Sequence, residues 1–200
     1  MKLDSKIKAV CFDAFGTLVE IKDKRRSHAA LLGLIDMPAR DQLKHAIMRE
    51  ALTLDDCIAQ YAPTLDAQDT QRLKDDLDAE LASITLRPYI NELWASLRAG
   101  GYKIALCSNL AFSYGPPLIE ILPGKAEAHI LSFEQGCIKP EPLIYQKVCE
   151  ALFLPPEAIL FTGDTLAADV DGPRAFGMEA ELINPFTQRF LSLPVRTKAI

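Results

Sequence analysis

The sequence has no C-x-x-C pair. Its five cysteines, Cys11, Cys57, Cys107, Cys137 and Cys149, are odd in number and widely spaced. That argues against a zinc-finger pattern and against a disulfide framework, and leaves reduced thiols as the simpler reading. Positive charge is also short, since 22 Lys and Arg against 27 Asp and Glu give a net charge of −5. No chain-wide cationic field therefore exists for nucleic acid or anionic lipid, and a small anionic ligand needs a local positive site. Long apolar runs are missing. The first one, residues 7–12, is too short for a signal peptide or a membrane span, so the expected location is the cytoplasm, with neither membrane nor nucleic acid as partner. Internal repeats and low-complexity tracts are absent as well.

What is present is the composition of an ordinary folded protein, 49% hydrophobic and 24% charged over 200 residues. This length suits one domain, or a core with a smaller insertion. Short apolar runs at 7–12, 103–107, 129–132, 159–162 and 180–183 read as buried strands. Helical stretches separate most of them, which predicts an α/β fold with a Rossmann-like parallel sheet. Between residues 19 and 87 no strand is evident. Helical periodicities at 40–54, 55–61 and 66–84 instead predict an inserted α-helical cap over the strand ends. The expected organisation is a core of 1–18 and 88–200 with a cap of 19–87. Pro88 opens a further helix through residue 99, stopped by Gly100 and Gly101, and 142–153 is amphipathic. The tail from residue 185 is poorly patterned and reads either as a docked arm or as a frayed end.

Four short motifs follow the predicted strands. The first ends in Asp13-Ala14-Phe15-Gly16-Thr17. Asp13 is either a turn residue or a carboxylate exposed at a sheet's carboxyl edge, where it can act as a nucleophile. After the second run come Ser108 and Asn109, which fit a helix N-cap or, with the following N–H groups, a phosphate cradle. Lys139 precedes Pro140-Glu141-Pro142 just before a helix, and is either a solvated lysine or a cation that offsets anionic charge. Thr162-Gly163-Asp164-Thr165-Leu166-Ala167-Ala168-Asp169 carries two carboxylates five residues apart. They are turn and cap residues, or hard oxygen ligands of the sort Mg²⁺ takes. The order and complementary charge of all four fit one phosphoryl-transfer site.

In these motifs the chain resembles the haloacid dehalogenase-like hydrolase superfamily, in its helical-cap branch, from residue 7 to about 183. The resemblance implies Asp13 as nucleophile, Lys139 as the catalytic cation, and Thr17, Ser108 and Asn109 as substrate-binding residues. It also implies Mg²⁺ held by Asp13, the Phe15 main-chain carbonyl, and the acidic pair Asp164 and Asp169. The expected activity is Mg²⁺-dependent hydrolysis of a small phosphorylated metabolite through an aspartyl-phosphate. One position departs from the pattern. Phosphatases of the family carry an Asp two residues after the nucleophile as general acid and base, and here Phe15 stands there; Glu20, Asp23 and His28 are replacements by position. An aromatic at this point, with Tyr145 six residues after Lys139, resembles a 2-haloacid dehalogenase instead, and Arg25, Arg26 and Arg40 are then the candidate partners of a substrate carboxylate. The third reading is a non-catalytic member that binds a phosphorylated ligand or a partner.

Overall fold

The computed structural model describes residues 3–191. Two strands, β1 (Ala9–Phe12) and β2 (Val19–Ile21), precede four helices, α1 (Ser27–Gly33), α2 (Ala39–Ala46), α3 (Leu54–Tyr61) and α4 (Ala67–Ala82). Next come β3 (Ile84–Leu86), α5 (Ile90–Ala99), β4 (Lys103–Ser108), α6 (Gly115–Ile121), β5 (Ala128–Leu131), α7 (Ser132–Gln135) and α8 (Pro142–Leu152). The described chain closes with β6 (Ile159–Gly163), α9 (Gly172–Phe176), β7 (Glu179–Leu182) and α10 (Ile183–Leu191). Among the described residues no helix is long and apolar enough to cross a membrane.

Five strands form one sheet in the order β5-β4-β1-β6-β7, every pairing parallel. The α/β core expected from the alternating runs is therefore present. Successive side chains leave a strand on opposite faces, and the core divides accordingly. Val10, Phe12, Ile104, Leu106 and Leu160 pack with Leu93, Trp94, Leu97, Leu118 and Phe186 on one face. Cys11, Ala105 and Phe161 pack with Ile144, Tyr145 and Val148 of α8 on the other. β1 is central, with Phe12 in register with Leu106 and Thr162. Whatever follows Phe12 thus emerges between the ends of β4 and β6, at the strand-order reversal where open α/β sheets bind ligands.

The helical stretch after β1 has its own apolar cluster, including Leu31, Leu43, Leu54, Cys57, Leu73 and Leu77. Three expectations need correcting there. First, residues 19–87 do contain strands: β2 and β3 pair antiparallel, Val19 with Leu86 and Ile21 with Ile84. Three residues are too few to show an alternation, and the partners lie 65 or so positions apart in sequence. Second, α1 has no counterpart in the sequence reading. Its N-cap, Arg26, is left-handed with φ 60 and makes no side-chain cap bond. Glu80 of α4 replaces the missing cap, its carboxylate accepting from the N–H groups of Arg26 at 2.8 Å and Ser27 at 3.2 Å, where the helix dipole also favours a negative charge. Third, the helix expected over 40–54 stops at Ala46, and a separate helix, α3, starts afresh from the capping box of Thr53 and Asp56.

At the other end, α10 docks Phe186, fully buried, edge-on to Phe12 at 6.0 Å. Of the two readings of the tail, the docked arm holds at Phe186. Residues 192–200 lie outside the described part.

Candidate active site

Asp13 is fixed by its backbone before its side chain: its N–H donates to Thr162 O at 2.9 Å, tying the end of β1 to β6. The chain then turns at once, with Ala14 O accepting from Thr17, Leu18 and Val19 N–H. Gly16, at φ 87, is what permits this; a Cβ there would stand 2.0 Å from Asp164 Oδ2. The turn places Thr17 Oγ1 3.2 Å from Asp13 Oδ2, to which it donates. From the end of β4, Ser108 Oγ donates to Asp13 Oδ1 at 3.1 Å.

Lys139 is not a solvated lysine. It is 4% exposed, and its Nζ donates to Asp13 Oδ1 and to Asp169 Oδ1, both at 2.7 Å. The Phe161 ring lies 5.3 Å from the ammonium. Burial alone would lower this lysine's pKa, but the carboxylates of Asp13 and Asp169 outweigh it and the net shift is upward. The lysine is thus held charged in the interior. Its backbone is clamped by Asn109, whose Nδ2 donates to Lys139 O at 2.9 Å while its Oδ1 accepts from Lys139 N–H at 2.8 Å. Asn109's side chain is therefore directed to the Lys139 backbone rather than to the carboxylates, a role that residue type and spacing do not reveal.

The fourth motif leaves β6 through Gly163 and a π-helical turn over Leu166–Asp171. Asp169 folds back under Gly163, so close that a Cβ on Gly163 would fall 2.3 Å from its carboxylate. Its Oδ2 accepts from Thr165 N–H at 2.9 Å, so both oxygens are engaged. Burial raises the Asp169 pKa against the opposing pull of Lys139, with Asp13 adding to the rise. Asp164 is exposed and accepts from Thr165 Oγ1 at 3.1 Å. Asp13, Asp164 and Asp169 each bring a carboxylate oxygen within 4.8 Å of the others. Three carboxylates against one ammonium leave a cluster short of positive charge, and hard oxygen donors at this separation suit a small divalent cation. The Phe15 carbonyl stands outside the hydrogen bonds that the turn makes through Ala14 O and Val19 O.

The Phe15 side chain turns the other way and packs edge-on against Tyr114 at 5.7 Å. It lines two cavities. One, of about 540 Å³, also holds Asp164, Glu20, Lys24 and Arg87. Arg87, which the sequence reading passed over, donates to Gly16 O and braces the turn from the far end of the helical stretch. Of the remaining candidates, Glu20 pairs with Lys22 at 2.6 Å and Asp23 with Arg25 at 2.7 Å. Arg25 also reaches Asp76 at 3.2 Å, and Arg40 is exposed on α2. Tyr145 is fully buried and donates to Ala168 O at 2.7 Å, bracing the π turn.

The chain is 25% identical over 197 residues to (S)-2-haloacid dehalogenase 4A from Burkholderia cepacia, covering 89% of this chain and 83% of that one. It shares its fold with a HAD family enzyme from Bacteroides thetaiotaomicron solved with magnesium and inorganic phosphate (TM-score 0.64, 19% identity, 88% of this chain and 93% of that one). A predicted phosphoglycolate phosphatase from Haemophilus somnus is similar in fold too (TM-score 0.61, 19% identity, 91% and 90% covered). The model of the haloacid dehalogenase-like hydrolase family matches residues 7–177, which takes in the Asp13 turn, Ser108, Lys139 and both acidic-motif carboxylates, and on that match the chain belongs to the haloacid dehalogenase-like hydrolases.

Proposed function

We propose that the protein is a Mg²⁺-dependent phosphatase of small phosphorylated metabolites, working in the cytoplasm, in which Asp13 attacks phosphorus and is transiently phosphorylated. The observation that carries this reading is the gathering of three carboxylates within 4.8 Å beside one buried ammonium. Such a cluster repels any incoming anion: at an effective dielectric of 20, each uncompensated charge pair at 5 Å costs about 3 kcal/mol. Asp13, the Phe15 carbonyl and Asp164 are the residues that would hold Mg²⁺, with Asp169 completing the acidic set mainly through its bond to Lys139. When bound, the ion neutralises the carboxylates and polarises the phosphoryl oxygens.

The chain's own groups supply the rest. Lys139 and the hydroxyls of Ser108 and Thr17 surround the Asp13 carboxylate, so they orient it and offer donors to phosphoryl oxygens as charge develops. Asn109 keeps the ammonium in place through the main chain. No carboxylic acid stands at Phe15 to protonate the departing oxygen, and Glu20, on the wall of the Asp164 cavity, is held ionised by Lys22, so the reading favours substrates with good leaving groups. Residues 19–87 act as the cap, closing over the strand ends.

Purified protein should hydrolyse acetyl phosphate or p-nitrophenyl phosphate with Mg²⁺ and lose the activity to chelator. A specific observation keeps 2-haloacid dehalogenation as the second reading: the aromatic Phe15, in a chain 25% identical to a dehalogenase. Chloride release from 2-chloropropionate that persists in chelator would overturn the phosphatase reading.

A further inference from the structure

Arg49 lies in the turn after α2, where its N–H donates to Ala46 O at 2.9 Å. Its guanidinium crosses from the helical stretch to the core and pairs with Glu141 Oε1. Glu141 stands two residues after Lys139, and its other oxygen, Oε2, accepts from Ile138 N–H at 3.2 Å. The Glu141 N–H in turn donates to Ile138 O at 2.8 Å. Lys139 N–H goes to Asn109 Oδ1 at 2.8 Å, and Pro140 has no N–H to give. Every main-chain donor from Ile138 to Glu141 is therefore engaged. The turn is held from two sides, by Asn109 of the core and by Arg49 through Glu141. Glu141 is also the N-cap of α8, yet its side chain makes no cap bond there. It turns back onto Ile138 and Arg49 instead. A glutamate 42% exposed, left to itself, would give up rotamer freedom for one long bond to Ile138. The guanidinium, only 18% exposed, is what fixes it.

We infer that Arg49 is a positioning residue for Lys139, acting through Glu141 rather than on the carboxylate cluster itself. With the pair made, the Lys139 main chain is fixed on both flanks, and its ammonium is presented where it meets Asp13 and Asp169. With the pair broken, Glu141 is free to leave Ile138, and the turn keeps the Asn109 bonds but loses its second support. A partly exposed ion pair is worth little by itself, so the effect on the reaction is a few-fold rather than complete. That effect on turnover rests on the phosphatase reading above, whereas the ordering of the turn does not.

The test has two readouts, hydrogen exchange by NMR at the amides of Ile138, Lys139 and Glu141, and steady-state hydrolysis of acetyl phosphate with saturating Mg²⁺. Arg49→Met should speed exchange at these amides and lower kcat, each by about 3- to 5-fold. KM should stay nearly unchanged, as for a loss felt in the transition state. Arg49→Lys, which keeps the charge, should recover part of both. Arg72→Met, which removes an arginine paired within α4 to Asp69, should change neither. In a Glu141→Ala background, where the turn has already lost this support, Arg49→Met should have no further effect on either readout. Unchanged exchange in Arg49→Met overturns the inference, whether or not acetyl phosphate is hydrolysed. So does additivity of Arg49→Met and Glu141→Ala, or a raised KM with kcat unchanged, which would make Arg49 a substrate contact. Faster exchange with unchanged kcat and KM overturns it too, since the pair would then order the turn without serving Lys139. Failure of the wild type to hydrolyse acetyl phosphate is failure of the phosphatase reading, and exchange alone then decides. Should Arg49→Met not fold, Arg49→Gln takes its place.

Discussion

Lys139 Nζ stands 2.7 Å from Asp13 Oδ1 in a place water hardly reaches. Each group makes the other's charge tolerable, and Asp169 shares the same ammonium. Removing the lysine strands two buried carboxylates, so Lys139→Met should destabilise the protein by about 3–5 kcal/mol, read as a fall in the urea midpoint measured in chelator. Asp13→Asn keeps an oxygen for Lys139 and Ser108 and should cost less stability, yet it removes the proposed nucleophile. Its turnover of acetyl phosphate should drop at least ~10³-fold. A variant that unfolds as readily as Lys139→Met, or that keeps turning over, would contradict this division of labour.

Gly163 and Gly33 make a matched pair. A methyl group on Gly163 would collide with the Asp169 carboxylate at 2.3 Å, whereas one on Gly33, at the end of α1, meets nothing within 4 Å. Gly163→Ala should therefore cost about 1–3 kcal/mol by overpacking and displace Asp169 from Lys139, with loss of turnover. Gly33→Ala should be neutral or stabilising by up to about 1 kcal/mol, with activity kept. Thermal unfolding and a steady-state assay on the two variants decide it.

The parallel core was legible because each buried strand is a short apolar run closed by a turn or a charged residue, and a strand end is where a functional side chain must sit. Reading along those ends is enough to bring Asp13, Ser108 and Asp164 to one edge of the sheet, and the segment before α8 adds Lys139. What escaped depends on partners distant in sequence. α1 starts where Glu80, 53 positions beyond Ser27, caps it, and β2 exists through β3 alone. Asn109 carries its role through two bonds to a main chain, and no side-chain pattern records that.

If Mg²⁺ binds at Asp13 and Asp164, it stabilises the folded state by mass action. At one hundred times its dissociation constant the gain is about 2.7 kcal/mol, or roughly 5–10 °C in Tm for a chain of this size. Because Asp164 is exposed, Asp164→Asn should leave the metal-free Tm nearly unchanged while abolishing the Mg²⁺-induced rise. A rise of equal size in that variant would place the ion elsewhere.

Phe15 faces Tyr114 while its main-chain carbonyl belongs to the Asp13 turn. Phe15→Asp exchanges the ring for a proton donor two residues from the proposed nucleophile. A general acid contributes about 10²- to 10⁴-fold where the leaving oxygen needs a proton, and little where it does not. Turnover of an alkyl phosphate should therefore rise relative to that of p-nitrophenyl phosphate, even if both fall because the Tyr114 contact is lost. An unchanged ratio would show that a missing acid is not what limits this site.

His28 gives the fold a pH dependence whose sign is fixed by burial. Desolvation lowers its folded-state pKa, while the unfolded chain titrates near the ordinary value of ~6.5. Between those two values the unfolded state binds more protons, so stability falls as pH drops below about 6.5 and levels off below the folded-state pKa. His129, also lowered by burial, adds in the same direction. His28→Phe removes together one titrating group and one polar ring whose nitrogens have no hydrogen-bond partner among the described residues. It should raise the urea midpoint at pH 7 by the equivalent of about 1–3 kcal/mol and flatten the decline between pH 6.5 and 5. A midpoint that falls at pH 7, or a decline as steep as in the wild type, would mean that the imidazole is already satisfied and contributes to the fold.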